Sequence, residues 1–167
     1  MASGWPIQRT EDLLAHAIAI EREAAARYSE LGERMGELGN DVVAELFLRL
    51  ARLEKEHELD LERRAAGFAL PRIAPGEYAW FDTGAPETAA HDLVLNLLTP
   101  RVALKIALEA EERAAGFFES ARKQASDPEL SELAAEMAAE EGVHIAWVKS
   151  AIRRTPNPVV DWNAIFG

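Results

Sequence analysis

The sequence has 167 residues, 49% of them apolar and 28% charged, and predicts a single globular domain over residues 1–167. Its 29 acidic and 18 basic residues give a formal charge of -11 without any basic run, so we expect no nucleic-acid or membrane partner. Cysteine is absent, which excludes disulfides and cysteine-ligated metals within this chain. Without a signal-peptide pattern or an apolar run of about 20 residues, a soluble cytoplasmic protein is expected.

The first predicted helix begins at a candidate N-cap, Thr10, and runs to about Met35. Apolar residues recur in it at steps of three and four, the spacing of one buried helix face. Glu21 is the only charged residue on this face. The face comprises Leu14, Ala17, Glu21, Ala24, Tyr28, Leu31 and Met35.

The second predicted helix has Asn40 as its N-cap and ends near Ala66. Its apolar face carries two polar residues, Glu54 and His57, which leave the helix one turn apart. Counted from the middle of the intervening turn, Glu21 and Glu54 lie at similar heights on antiparallel helices, so we expect them to meet. The face comprises Val43, Phe47, Leu50, Glu54, His57 and Leu61.

The helical pattern is interrupted by prolines and glycines over residues 68–99. A segment of this length suits a crossover along the outside of a helix bundle, with residues 86–98 as a candidate short helix. His91 lies in this segment. We expect a surface or capping role for His91, and also for His16, which lies off the apolar face of the first helix.

The third predicted helix starts at Thr99 as N-cap with Pro100 in its first turn. Glu111 is the only charged residue on its apolar face, whereas Glu109 and Glu112 lie off the face and remain alternatives if the register is shifted by one position. The face comprises Leu104, Ala107, Glu111, Ala114, Phe118 and Ala121.

The fourth predicted helix starts at Ser126 and Glu129, which have capping-box spacing, and ends near Arg154. Glu141 and His144 lie on its apolar face, again one turn apart. Glu141 is level with the face glutamate of the preceding helix. The face comprises Leu130, Ala134, Met137, Glu141, His144, Val148 and Ala151.

The pattern Glu-x-x-His therefore occurs twice, at residues 54–57 and 141–144. The segments upstream of it are also duplicated, because residues 17–28 align with residues 107–118. Each half of the chain thus consists of a glutamate helix followed by a Glu-x-x-His helix.

We therefore expect these four carboxylates and two imidazoles to lie at the same height in the apolar interior of the helix bundle. Burying several carboxylates together is unfavourable unless they are protonated or bind cations. Two divalent cations would neutralise four glutamates, and carboxylate with imidazole suits iron, manganese or zinc. The structural alternative is a set of buried salt bridges or adventitious zinc. The predicted metal ligands are Glu21, Glu54, His57, Glu111, Glu141 and His144.

The sequence resembles the ferritin-like superfamily, and within it the rubrerythrin-like branch, over residues 10–154. The resemblance is carried by Ala17, Glu21, Ala24 and Tyr28 in the first helix and by the two Glu-x-x-His motifs. It implies an all-α, ferritin-like four-helix bundle with a crossover between helices 2 and 3. It also implies a carboxylate-bridged centre of two iron ions that reacts with hydrogen peroxide or dioxygen.

Two departures from rubrerythrins matter. The rubredoxin domain, with its four iron-binding cysteines, has no counterpart in this chain, so a peroxidase would need a separate electron donor protein. Ala114 stands where rubrerythrins place a second glutamate, which puts ligand switching in doubt. Tyr28 is a candidate hydroxyl beside the metals or else a core-filling ring, and its counterpart in the second half is Phe118.

The function expected from the resemblance is a redox enzyme that reduces hydrogen peroxide or dioxygen. A ferroxidase or iron-handling protein, and a manganese catalase-like enzyme, are the alternatives. The tail at residues 155–167 has several apolar residues, and together with the crossover it favours a homodimer.

Overall fold

The computed structural model describes residues 6–73 and 98–156. Within these ranges the chain forms four helices, α1 (Thr10–Glu37), α2 (Asp41–Ala65), α3 (Pro100–Gln124) and α4 (Pro128–Arg154). Helix α1 packs along α2, and α3 packs along α4. The predicted all-α architecture, with four helices and a long connection between the second and the third, is confirmed.

Two of the predicted helix starts are confirmed in detail. The side chain of Asn40 accepts a hydrogen bond from the backbone N–H of Val43 at 3.0 Å. The Thr99 hydroxyl accepts from the backbone N–H of Val102 at 3.2 Å, with Pro100 as the first helical residue. Each cap satisfies a donor that the first turn of a helix leaves without a partner, so the sequence signal has a direct physical cause.

The other two predicted caps are wrong by one residue. Helix α1 is capped at Arg9, so Thr10 is already helical, and Asp12 accepts from the backbone N–H of Arg9 at 2.9 Å. Helix α4 is capped by Asp127 instead of Ser126. A tertiary contact explains Thr10, because its hydroxyl donates to the Asp127 carboxylate at 3.4 Å and so joins the starts of α1 and α4.

The apolar interior is divided into two clusters, one towards each end of the bundle. Large side chains of the first cluster are Leu13, Leu14, Ile20, Leu61, Phe118, Leu130 and Met137. Those of the second are Tyr28, Leu31, Met35, Phe47, Leu50, Leu104 and Val148. The polar residues of the predicted faces lie between these clusters along the helices, so apolar packing on both sides positions them.

The surface or capping role expected for His16 is wrong. Its side chain is buried, its ring stacks on Phe117 with the centroids 5.9 Å apart, and its Nδ1 lies 2.8 Å from the carbonyl oxygen of Asp12. The position of His16 along α1 could not predict its burial, because the residue that covers it, Phe117, belongs to α3.

His91, the candidate short helix at 86–98 apart from Leu98, and most of the tail at 155–167 lie outside the described residues. The predictions about them therefore stay predictions. Among the helices of residues 6–73 and 98–156, none has the length and apolar character needed to cross a membrane.

Candidate metal centre

Each of the four helices contributes one glutamate to the middle of the bundle: Glu21 from α1, Glu54 from α2, Glu111 from α3 and Glu141 from α4. All four are buried, with between 1% and 4% of their surface exposed. The register chosen for α3 is confirmed, since Glu109 and Glu112 are both exposed.

His144 faces three of these carboxylates. Its Nδ1 lies 3.0 Å from Oε1 of Glu54, 3.5 Å from Oε2 of Glu111 and 3.8 Å from Oε2 of Glu141. Ligand atoms from these four residues all lie within 4.8 Å of one another, close enough to hold one metal ion between them. One candidate position is thus built from α2, α3 and α4.

His57 faces the other side of the cluster. Its Nδ1 lies 3.6 Å from Oε2 of Glu54 and 3.7 Å from Oε2 of Glu21. Its ring is nearly parallel to that of His144, with an interplanar angle of 9° and the centroids 5.7 Å apart. Glu54, His57 and His144 form a second group of converging ligand atoms, so Glu54 and His144 are common to both groups, whereas Glu21 belongs to neither.

Several buried polar atoms of the cluster lack hydrogen-bond partners within the described part of the chain. They are Oε1 and Oε2 of Glu21, Oε2 of Glu54 and Nδ1 of His144. The last atom is close to Glu54, but the two are not aligned as a hydrogen bond. Buried polar groups are seldom left unsatisfied, and carboxylate and imidazole are ligands for borderline divalent cations. The residues present therefore fit a metal site.

Without bound cations, burial and neighbouring groups shift the pKa values of the clustered carboxyl groups in different directions. Burial, together with a neighbouring carboxylate, raises the pKa of Glu21 and of Glu141 well above the ordinary range. Burial also opposes ionisation of Glu54, but Glu21 and the two histidines outweigh it and lower the pKa of Glu54 to about 2.

Both imidazoles are held in the protonated form. The carboxylates of Glu21 and Glu54 raise the pKa of His57 to about 10. Burial lowers the pKa of His144, but Glu111 and Glu54 outweigh it and raise the value to about 10. In the absence of metal the cluster therefore compensates its negative charge with protons, which cations would displace.

Tyr28 lies directly beside the cluster. It is buried, and its hydroxyl donates a hydrogen bond to Oε1 of Glu111. Its ring stacks on Phe47 with the centroids 5.9 Å apart. The ring of Tyr28 therefore fills the core and its hydroxyl contacts one predicted ligand, while its role beside metals stays a prediction.

A small cavity of about 10 Å³ adjoins the carboxylates on the side of Tyr28. Its apolar wall is formed by Ile20, Ala24, Ala110 and Ala114. This volume is about the space that one water molecule occupies. The alanine at 114 thus leaves a small space beside the cluster where a larger side chain would fill it.

Comparisons with known proteins agree with this geometry. The sequence profile of the Rubrerythrin family matches residues 12–86, a range that contains Glu21, Glu54 and His57. The crystal structure of an uncharacterised conserved protein from Magnetospirillum magnetotacticum MS-1, at 2.00 Å resolution, is 33% identical and has a TM-score of 0.80. That similarity covers 91% of this chain and 99% of the other. The chain belongs to the rubrerythrin family.

The predicted resemblance and the ferritin-like fold are therefore confirmed. No curated protein matches the chain. This rubrerythrin-family protein has a buried Glu/His cluster consistent with a metal site, and within its sequence no cysteine is present to form a rubredoxin-type site.

Two carboxylates near the cluster were not predicted. Glu58 follows Glu54 by one turn and is 2% exposed, and it binds the side chains of Arg22 and Lys55, each at 2.6 Å. Glu140 lies 3.8 Å from Nδ1 of His57. Both glutamates lie off the apolar faces, so periodicity alone could not separate them from solvated residues.

An aromatic contact was also missed. The ring of Trp147 lies 5.8 Å from that of His144, and the guanidinium of Arg49 lies 4.7 Å from the Trp147 ring centroid. Trp147 follows His144 by three residues on α4, and that spacing is the signal which could have identified the contact.

Proposed function

We propose that this rubrerythrin-family protein is a di-iron redox enzyme that reduces hydrogen peroxide or dioxygen with electrons from a separate donor protein. The observation that carries the proposal is the convergence of four buried carboxylates and two imidazoles, with Glu54 shared by both groups of ligand atoms. Carboxylate and imidazole oxygen and nitrogen atoms suit iron, and a shared carboxylate suits a pair of ions.

In this proposal Glu54, Glu111, Glu141 and His144 hold one ion, while Glu21 and His57, together with Glu54, hold the other. A bound iron pair supplies redox equivalents and Lewis acidity for the reduction of a peroxide O–O bond. The overall reaction consumes one hydrogen peroxide, two electrons and two protons and yields two water molecules. Both electrons come from the donor protein.

Tyr28 has a defined task in this scheme. Burial, with the charges of Glu111 and Glu54, raises the pKa of Tyr28 well above its usual value, so its hydroxyl keeps the proton at neutral pH. It therefore acts as a neutral donor that orients Glu111. Removing the hydroxyl should alter the geometry of that carboxylate without removing a charge.

The cavity beside Tyr28 supports a small oxidant. Its volume of about 10 Å³ is near the lower limit for one water molecule, so hydrogen peroxide or dioxygen would displace the alanine wall slightly and an alkyl hydroperoxide would displace it much more. We therefore propose hydrogen peroxide or dioxygen as the substrate, in preference to an organic hydroperoxide. We also propose a homodimer as the working form.

The test is anaerobic reconstitution with Fe(II), followed by elemental analysis, optical spectroscopy and peroxide consumption with a reducing donor. We expect two irons per chain, an absorption that bleaches on reduction and returns with peroxide, and consumption faster than that by free iron. tert-Butyl hydroperoxide should react much more slowly.

Other results would overturn the proposal. Two irons without consumption above that of free iron would reject the enzyme and favour iron handling, and a preference for manganese with disproportionation of peroxide would favour a catalase. Failure to bind any divalent metal would reject the site itself.

A further inference from the structure

The two halves of the cluster are related by the sequence duplication but differ in their access to solvent. His57 and His144 are equivalent in the two Glu-x-x-His motifs. The side chain of His57 is 23% exposed, whereas that of His144 is 4% exposed. Among the six predicted ligands only His57 is open to solvent to this extent. A cation from solution would therefore reach the cluster on the His57 side.

Glu140 lies on this open side. Its Oε2 is 3.8 Å from Nδ1 of His57, and its side chain is 35% exposed, so it contacts both solvent and the cluster. In the alignment of the motifs the counterpart of Glu140 on α2 is Leu53. The duplication alone therefore does not account for a carboxylate at this position.

Arg64, two turns after His57 on α2, is already engaged by other carboxylates. Arg64 binds Glu136 through two hydrogen bonds at 2.6 and 2.9 Å, and it also lies 2.8 Å from Asp60. Glu140 faces His57 instead. Directly inside this pair lies Glu21, 1% exposed, whose two oxygens have no hydrogen-bond partner among residues 6–73 and 98–156.

We propose that Glu140 is a capture carboxylate, which binds a divalent cation arriving from solvent and transfers it to Glu21, Glu54 and His57. This inference rests on the proposed metal site but adds a residue outside the six predicted ligands. An exposed carboxylate suits a transient ligand, because it can turn between solvent and His57. The His57 half of the centre is accordingly the half that loads and exchanges metal first.

The proposal is tested by the kinetics of Co²⁺ binding to metal-free protein, followed by d–d absorption in a stopped-flow instrument. The variants are Glu140→Gln and, as matched control, Glu56→Gln, which removes the same charge at an exposed position next to His57 in sequence. Dissociation is measured by transfer of Co²⁺ to an excess of chelator. Equilibrium titration gives stoichiometry and affinity independently of any enzymatic activity.

For Glu140→Gln we expect association about three- to tenfold slower, the scale of one carboxylate acting on a cation close to solvent. Dissociation should slow by the same factor, so that affinity and the stoichiometry of two ions are unchanged. Glu56→Gln should behave as the wild type. Glu140→Asp, which keeps the carboxylate, should load faster than Glu140→Gln.

Each contrary result has its own meaning. Unchanged rates in Glu140→Gln, equal slowing in Glu56→Gln, or no advantage of Glu140→Asp would overturn the capture role and leave the proposed metal site intact. Weaker affinity at an unchanged association rate would make Glu140 a resident ligand and likewise overturn it. If the wild type binds no Co²⁺, the proposed metal site fails and this inference fails with it.

Discussion

Substitution of Glu54 by glutamine tests the whole organisation of the candidate centre. Glu54 contributes ligand atoms to both groups, and its oxygens lie 3.0 Å from Nδ1 of His144 and 3.6 Å from Nδ1 of His57. Glutamine preserves the shape of the side chain but removes its charge, and an amide cannot bridge two cations as a carboxylate does. We therefore expect Glu54→Gln to bind at most one ion.

The magnitude follows from linkage between binding and folding. An ion present at 100 times its dissociation constant stabilises the folded state by about 2.7 kcal/mol, so two independent ions contribute about 5 kcal/mol. For a domain of this size each kcal/mol raises the melting temperature by about 2–4 °C. We therefore expect metal to raise the melting temperature of the wild type by about 10–20 °C, and that of Glu54→Gln by at most half as much.

The assay is thermal unfolding of metal-free and metal-loaded protein, monitored by circular dichroism and accompanied by metal analysis. The matched control is Glu58→Gln, which has the same substitution, helix and depth of burial but contacts Arg22 and Lys55 instead of the histidines. These partners have side chains 59% and 55% exposed and can return to solvent. Glu58→Gln should lower the melting temperature by a similar small amount in the metal-free and the metal-loaded protein. Metal should therefore raise the melting temperature of this variant as much as that of the wild type.

One result would refute this reasoning: two ions and an undiminished metal-dependent stabilisation in Glu54→Gln. Glu54 would then not be a shared ligand. If Glu58→Gln lost the metal effect as fully as Glu54→Gln, the loss would reflect general damage to α2 and not the loss of a ligand.

Three further outcomes are expected. Tyr28→Phe, which leaves the buried Glu111 carboxylate without its donor, should lower the unfolding free energy of the metal-free protein in urea by about 1–3 kcal/mol, and no change would argue against that hydrogen bond. Metal binding should release two to four protons per chain, measured in a pH-stat, from two imidazolium groups and two carboxyl groups of raised pKa. If no protons were released, these four groups would not be protonated in the metal-free protein. Folding raises the pKa of His57 and of His144 from 6.5 to about 10, so their contribution to the stability of the metal-free protein should be complete below pH 6.5 and lost towards pH 10. Denaturant titrations that show constant stability over this pH range would exclude such a contribution.

Helix periodicity predicted the fold and the interior of the candidate centre well. A glutamate on an otherwise apolar face is a strong signal, because a residue at steps of three and four from leucine and alanine must point inward with them. Glu21, Glu54, Glu111 and Glu141 are all buried as this rule requires. Their equal heights followed from the rise per residue and the lengths of the two turns.

The same rule could not find contacts made between helices. Glu58 and Glu140 lie at the margins of the apolar faces, where exposure depends on which side chains the neighbouring helix presents. Glu58 is buried because Arg22 of α1 lies opposite it, and His16 is buried because Phe117 of α3 covers it. Periodicity describes one helix at a time and contains no information on these partners.

The sequence by itself determined the four helices, the duplicated Glu-x-x-His pattern and the residues that face the interior, because those properties are local and repeat with the period of the helix. Tertiary structure alone decided the sharing of Glu54 and His144 between two groups, the hydrogen bond from Tyr28 to Glu111 and the greater exposure of His57 than of His144. These features depend on distances between atoms of different helices, and such distances are set by how the helix pairs pack.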